Sequence, residues 1–148
     1  MADSTSHVVV AVVLSVREAR VGASVQQVAR AGGESLEAAL ERAVDVDALA
    51  HVEQLETRVL RDGRLATAYL GLARSAVAGL HPSTPDEREL VAAAQARLRA
   101  KLSYTNVAFA LAPETFTVSE LRELYVAALG HDVSATNLQR VLLRRGVI

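Results

Sequence analysis

The sequence predicts an α+β protein: a small β/α first part followed by an all-helical second part that carries a helix-turn-helix. Three observations lead there. Strand-like apolar runs dominate the first half, a loop-rich stretch, GLHPSTP, interrupts at 79–85, and every apolar pattern after it has helical spacing with its own cap signals. The expected division is residues 1–78 and 79–148.

Taken in order, residues 8–16 are an apolar run rich in Val, the pattern of a buried strand. VREA then supplies a turn, and VGASVQQVA a partner strand. A helix follows, with Ser35 as its cap. Leu36, Ala39, Leu40 and Ala43 share one face at i, i+3, i+4 and i+7, and Glu37, Glu41 and Asp45 point outward. VEQLETRVL and LATAYLGLA flank Arg61-Asp62-Gly63-Arg64, and an Asp-Gly pair between two strand-like runs signals a hairpin. The order is β-β-α-β-β. Roughly 75 residues are thin for an independent core, so this part is expected to pack on the second half or on a second subunit.

In the second half, Thr84-Pro85-Asp86-Glu87 fits a capping box with Pro at the first helical position. Leu90, Ala94, Leu98 and Leu102 step by four, so one helix is expected over 85–102. SYTNVAFALAPETF reads as a short helix or turn-rich stretch closed by Pro113. Thr117-Val118-Ser119-Glu120 is a second capping box, with Phe116 and Leu121 placed for a hydrophobic staple. Leu121, Leu124, Tyr125 and Ala128 make the buried face of that helix, and Gly130 ends it. A last helix starts near Ser134, buries Leu138, Val141 and Leu142, and ends at Gly146. Two capped helices joined by a short Gly-containing turn are a helix-turn-helix candidate.

Composition bounds the function. Hydrophobic residues make up 51% of the chain, yet only three Tyr and two Phe are present, so Ala, Val and Leu must supply most of the core. Without cysteine there is neither a disulfide framework nor a Cys-based zinc site, which suits a reducing cytoplasm. The N-terminus lacks the basic region of a signal peptide, and VVVAVVLSV is too short to span a bilayer. A soluble, cytoplasmic protein with no membrane partner is the expectation. The net charge of −1 does not advertise nucleic acid, but the last 15 residues carry Arg140, Arg144 and Arg145 and no carboxylate. Such an end is either a solvated helix end or a phosphate-facing surface. His7, His51, His81 and His131 show no i,i+4 pair and read as surface or loop residues. No phosphate-binding or nucleophile-elbow motif is present.

The stretch RLRAKLSYTNVAFALAPETFTVSELRELYVAALGHDVSATNLQRVLLRRGVI resembles the winged-helix domain of the Nudix-related transcriptional regulators, the NrtR family. The matching features are the helix ending in K-L-x-Y-T, the segment V-A-F-x-L-x-P-E-x-F-T-x-S-E-L, the L-Y and L-G after it, and the Asn near the start of the last helix. The likeness runs over about residues 95–148. GGESLEAA, at 32–39, is similar to the opening of the same family's Nudix box. The resemblance implies a Nudix-like first domain, a winged-helix second domain, binding of operator DNA as a homodimer near genes of NAD or sugar metabolism, and a nucleotide effector such as ADP-ribose.

The box is degenerate. With its first Glu on Glu34, its Arg falls on Arg42, which matches. The following Glu falls on Ala43, and the final Glu pair on Val46 and Asp47. Magnesium needs several hard oxygen ligands in a near-octahedral array, and Ala43 and Val46 offer none. The expectation is therefore no enzyme, no metal and no cofactor, with Glu34, Glu37 and Glu41 on a solvated helix face. The regions around the box are shorter than the family pattern, which counts against an effector pocket.

For DNA, the last helix presents Thr136, Asn137, Gln139, Arg140 and Arg144 opposite its apolar face, with Arg145 beside them. Asn and Gln pair with adenine and Arg with guanine, while Arg144 and Arg145 can equally hold phosphates. Two departures weigh against this. The family's last helix carries Lys or Arg where Ala135, Thr136, Gln139 and Val141 stand here, and the family continues into a basic wing beyond the position of Ile148. Two other readings therefore stay open: an interaction or dimerisation protein that does not bind DNA, and a Nudix-type pyrophosphatase.

Overall fold

Val8 to Leu14 are all buried, at 3% exposure or less, and this run is the middle of the molecule. The computed structural model describes residues 6–17, 20–74, 81–102 and 118–129. In it the run belongs to β1 (His7–Arg17), followed by β2 (Arg20–Ala29), α1 (Leu36–Ala43), a 3₁₀ turn (Val46–Ala48), β3 (His51–Val59), β4 (Leu65–Ala73), α2 (Pro85–Leu102) and α3 (Val118–Leu129). The four strands form one sheet in the order β2-β1-β4-β3. β1 runs antiparallel to β2 and parallel to β4, and β3 runs antiparallel to β4.

A central strand with both faces covered needs no polar alternation, which is why β1 reads as continuous Val. Val8, Val10, Val12 and Leu14 join Leu90, Ala94, Leu98, Leu102, Leu121, Leu124 and Tyr125 in one cluster, so α2 and α3 cover one face of the sheet. Val9, Ala11 and Val13 join Ala39, Leu40, Val44 and Tyr69 in a second cluster under α1. The expected order and the helix over 85–102 are found. Of the two supports expected for the thin first part, the second half supplies one directly: α2 and α3 share its core.

The local signals act as read. Ser35 caps α1, its Oγ accepting from the Ala38 N–H at 3.0 Å. Thr84 Oγ1 accepts from the Glu87 N–H at 3.1 Å, and Glu87 Oε1 accepts in return from the Thr84 and Ser83 N–H groups, which closes the capping box. In the hairpin, Gly63 sits at φ 91°, a conformation that costs other residues about 1–2 kcal/mol, and its N–H donates to the Leu60 carbonyl at 2.9 Å. The second capping box at Thr117, the Phe116 staple, Ala128 as a buried side chain, Gly130, the stretch 103–117 and the last helix lie outside the described residues. No helix among the described residues is long and apolar enough to cross a membrane.

Candidate functional site

The box residues come first, because the sequence singles them out. The turn after β2 is closed by the Glu34 N–H donating to the Ala31 carbonyl at 3.0 Å, with Gly33 at φ 78°. That turn and the two turns of α1 bring Glu34 and Arg42 together. Arg42 Nε donates to Glu34 Oε2 and Nη2 to Oε1, both at 2.7 Å, in a two-pronged pair. The Ala31 N–H also donates to Glu34 Oε1, at 2.9 Å, and Arg42 Nη2 to the Ala29 carbonyl, at 2.8 Å. The hydrogen bonds from Arg42 and then from Ala31 pull the Glu34 carboxyl down to about 2. The pair is a clip that ties the end of α1 to the end of β2.

In that arrangement the box side chains meet other partners. Both oxygens of Glu34 are committed to Arg42, and Oε1 also to Ala31. Ala43 is buried against the sheet, and Val46 packs on the cluster beneath α1. Asp47 is exposed in the 3₁₀ turn beyond the helix. Glu37 and Glu41 are exposed on the outer side of α1. Among the described residues, no three His, Asp or Glu side chains form a group that could hold a metal ion. Tyr69 lies under α1, where burial, with a contribution from Glu37, raises its phenol above the usual value.

Two histidines depart from the sequence reading. His7 is a half-buried strand residue, its Nε2 hydrogen-bonded to Thr67 Oγ1 at 2.7 Å, and Thr67 is the buried polar link to Thr57 Oγ1 at 3.1 Å. His51, on β3, is hydrogen-bonded to Glu53 Oε1 at 2.9 Å. His81 is exposed as expected, and His131 lies outside the described residues.

The sequence did not disclose a charged seam between β3 and α2. Glu53 accepts from His51, from Arg97 Nη1 at 2.9 Å and from Lys101 Nζ at 3.1 Å. Burial opposes the Glu53 charge, but these three donors outweigh it and hold the carboxyl below the usual range. Further along, Arg58 pairs with Glu56 and Glu89, and Arg61 pairs with Asp86 and Glu89. A register shift between Gln54 and Glu56 makes this possible. Without it, strict alternation would set Glu53 and Glu56 on opposite faces. A shallow hollow between the hairpin and the start of α2 is rimmed by Asp62, Asp86 and Glu87, but Arg64, Arg61 and the Ser83–Thr84 amides already engage them.

The candidate DNA-reading residues Thr136, Asn137, Gln139, Arg140, Arg144 and Arg145 lie outside the described residues. The described part of the candidate module is α3, which buries Leu121, Leu124 and Tyr125 against the core.

These features define a mixed-sheet core with one clipped helix on one face and two further helices on the other. Part of the sequence is similar to a transcriptional repressor. It is 35% identical over 63 residues to the ADPR responsive transcriptional repressor NtrR of Acinetobacter baylyi. That match spans 43% of this chain and about a quarter of the length of the repressor. The fold is similar to that of Shewanella oneidensis NrtR, with a TM-score of 0.75 over 95% of this chain and 84% of the other, at 19% identity. The same protein complexed with a 27mer DNA also gives 0.75, over 94% and 83%. No family model matches the sequence.

Proposed function

We propose that this chain is a DNA-binding transcriptional regulator in which the first part, residues 1–78, is a Nudix-like scaffold without hydrolase activity and residues 79–148 carry a winged-helix module. The observation that carries this reading is the clip. The surviving box residues Glu34 and Arg42 are spent on each other and on the backbone, in a chain whose sequence matches a repressor. On this reading the last helix lies in the major groove. Asn137 and Gln139 face adenine edges, Arg140 faces guanine, and Thr136, Arg144 and Arg145 hold register on phosphates. The site of action is the cytoplasm, at an operator near genes of NAD or sugar metabolism. ADP-ribose is the effector to test first, because the matched repressor is named as responsive to it.

The first experiment is fluorescence anisotropy with duplex DNA, titrated with salt, for the wild type and for Arg140→Ala/Arg144→Ala. Each lost phosphate contact should flatten the salt dependence by roughly 0.9 in log–log slope. Binding that weakens in the variant supports the recognition helix. Wild-type chain that binds no DNA at low salt would remove this reading in favour of an interaction protein. For the enzyme question, the expected outcome is no magnesium-dependent turnover of ADP-ribose. Turnover abolished by Glu37→Gln or Glu41→Gln would overturn the scaffold reading.

A further inference from the structure

β3 carries its charges on the covered side. His51, Glu53, Glu56 and Arg58 pair with Leu72, Leu70, Ala68 and Ala66 of β4, which belong to the cluster under α2 and α3. Val52, Gln54, Thr57 and Val59 turn the other way, and all four are exposed. A sheet face turned to water ordinarily carries the polar residues, and the covered face the apolar ones. In β3 the order is reversed. Its solvent side holds no charge, while its covered side holds four ionisable groups.

The exposed row is part of a larger surface. Val52, Gln54, Thr57 and Val59 lie opposite Gly71, Tyr69, Thr67 and Leu65 of β4, on the face that carries α1. The exposed large apolar side chains among the described residues are Val59 at 66%, Val52 at 42% and Leu65 at 36%, and all of them stand here. Val59 and Leu65 are direct cross-strand neighbours. Val52 lies about 20 Å along the strand from them. α1 packs over β1 and β2, so it fills only half of this face, whereas α2 and α3 share the other.

The flank of α1 beside the bare half is acidic. Glu37 comes close enough to Tyr69 on β4 to help raise its phenol, and Glu41 follows one turn later on the same side of the helix. Both are exposed, and neither makes an ion pair among the described residues. Arg30 and Arg42 do not neutralise them, because Arg30 is held by the Glu34 carbonyl and Arg42 by the Glu34 carboxylate. An apolar surface with a polar rim marks an interaction site.

We propose that Val52, Val59 and Leu65, with Glu37 and Glu41 beside them, seat a basic amphipathic helix of a different protein. A helix of about 14 residues spans the row and fills the place next to α1. Its apolar side covers the two valines and Leu65, and its Lys or Arg residues meet the two glutamates. A second copy of this chain would set its own acidic flank against this one, and the same carboxylates repel the phosphates of a nucleotide. The surface stands independently of the DNA-binding reading.

The test is fluorescence anisotropy of the full chain with a labelled helical peptide of about 14 residues, Leu along one face and Lys on both flanks, and with a twin that has Glu for Lys. The Lys peptide should bind in a salt-sensitive way, at least about tenfold tighter than the Glu twin. Val59→Lys should weaken it by more than about tenfold. Glu37→Gln/Glu41→Gln should weaken it about fivefold, and Glu37→Lys/Glu41→Lys should exchange the preference to the Glu twin. Circular dichroism checks each variant, and should Val59→Lys fail to fold, the glutamate variants decide. No binding, equal binding of the two peptides, or binding indifferent to the glutamate variants overturns the proposal. Sedimentation identifies the occupant: a wild-type dimer that Val59→Lys dissociates puts a second copy on this face and overturns it as well.

Discussion

At the scale of single residues, the clip makes a prediction about pH. The Glu34 carboxyl is held near 2 in the folded chain, against an ordinary value of 4.5. A carboxyl depressed by folding stabilises above its unfolded value, and the contribution fades as pH falls from about 4.5 towards 2. The melting temperature of the wild type should therefore drop across that window more steeply than that of Glu34→Gln. Superimposable curves would show that the clip adds nothing to folding. The box spacing singled out Glu34 and Arg42, but Glu34 was expected on a solvated helix face; it lies instead in the turn before α1, where it pairs with Arg42. His7 was not legible, since its partner Thr67 lies 60 residues away and only the parallel pairing of β1 with β4 makes them neighbours.

At the scale of elements, two kinds of contact hold α2 to the sheet, and they differ in strength. Leu98 is 1% exposed and packs in the main cluster, so Leu98→Ala should cost about 2–5 kcal/mol in a denaturant titration. Arg97 is half-exposed beside it and pairs with Glu53, so Arg97→Ala should cost below about 1 kcal/mol, and less in high salt. A reversed order would mean that the charged seam, not the apolar face, docks the helix. The bounds of α1 and the start of α2 were readable because their caps act within four residues. The register shift in β3 was not. HVEQLETRV alternates well enough on its own, and only the pairing with β4 shows the offset that turns Glu56 and Arg58 towards α2.

At the scale of the whole molecule, the order of the described elements was legible in the sequence, but not how α2 and α3 meet the sheet. The reason lies in β1. A strand buried on both sides shows an unbroken apolar run, and such a run does not say which helices cover it. Its even-numbered positions from Val8 to Leu14 face α2 and α3, while Val9, Ala11 and Val13 face α1. A ligand that shifted α1 would press on the same strand that α3 leans on. That gives a nucleotide effector, where one binds, a short route to the helical half.

The parallel neighbour of β1 also governs when the protein becomes safe from its own chemistry. His7 to Ser15 must wait for Leu65 to Ala73, so the Val-rich run leaves the ribosome long before β4 exists. Antiparallel β2 arrives first and shields one edge, while the other edge and both faces stay open. A segment that is apolar, free of charge and rich in β-branched residues is then the most aggregation-prone part of the nascent chain. Slow synthesis between residues 30 and 64, the stretch that also brings Leu40, Val44, Leu55 and Leu60 to the core, lengthens that exposure.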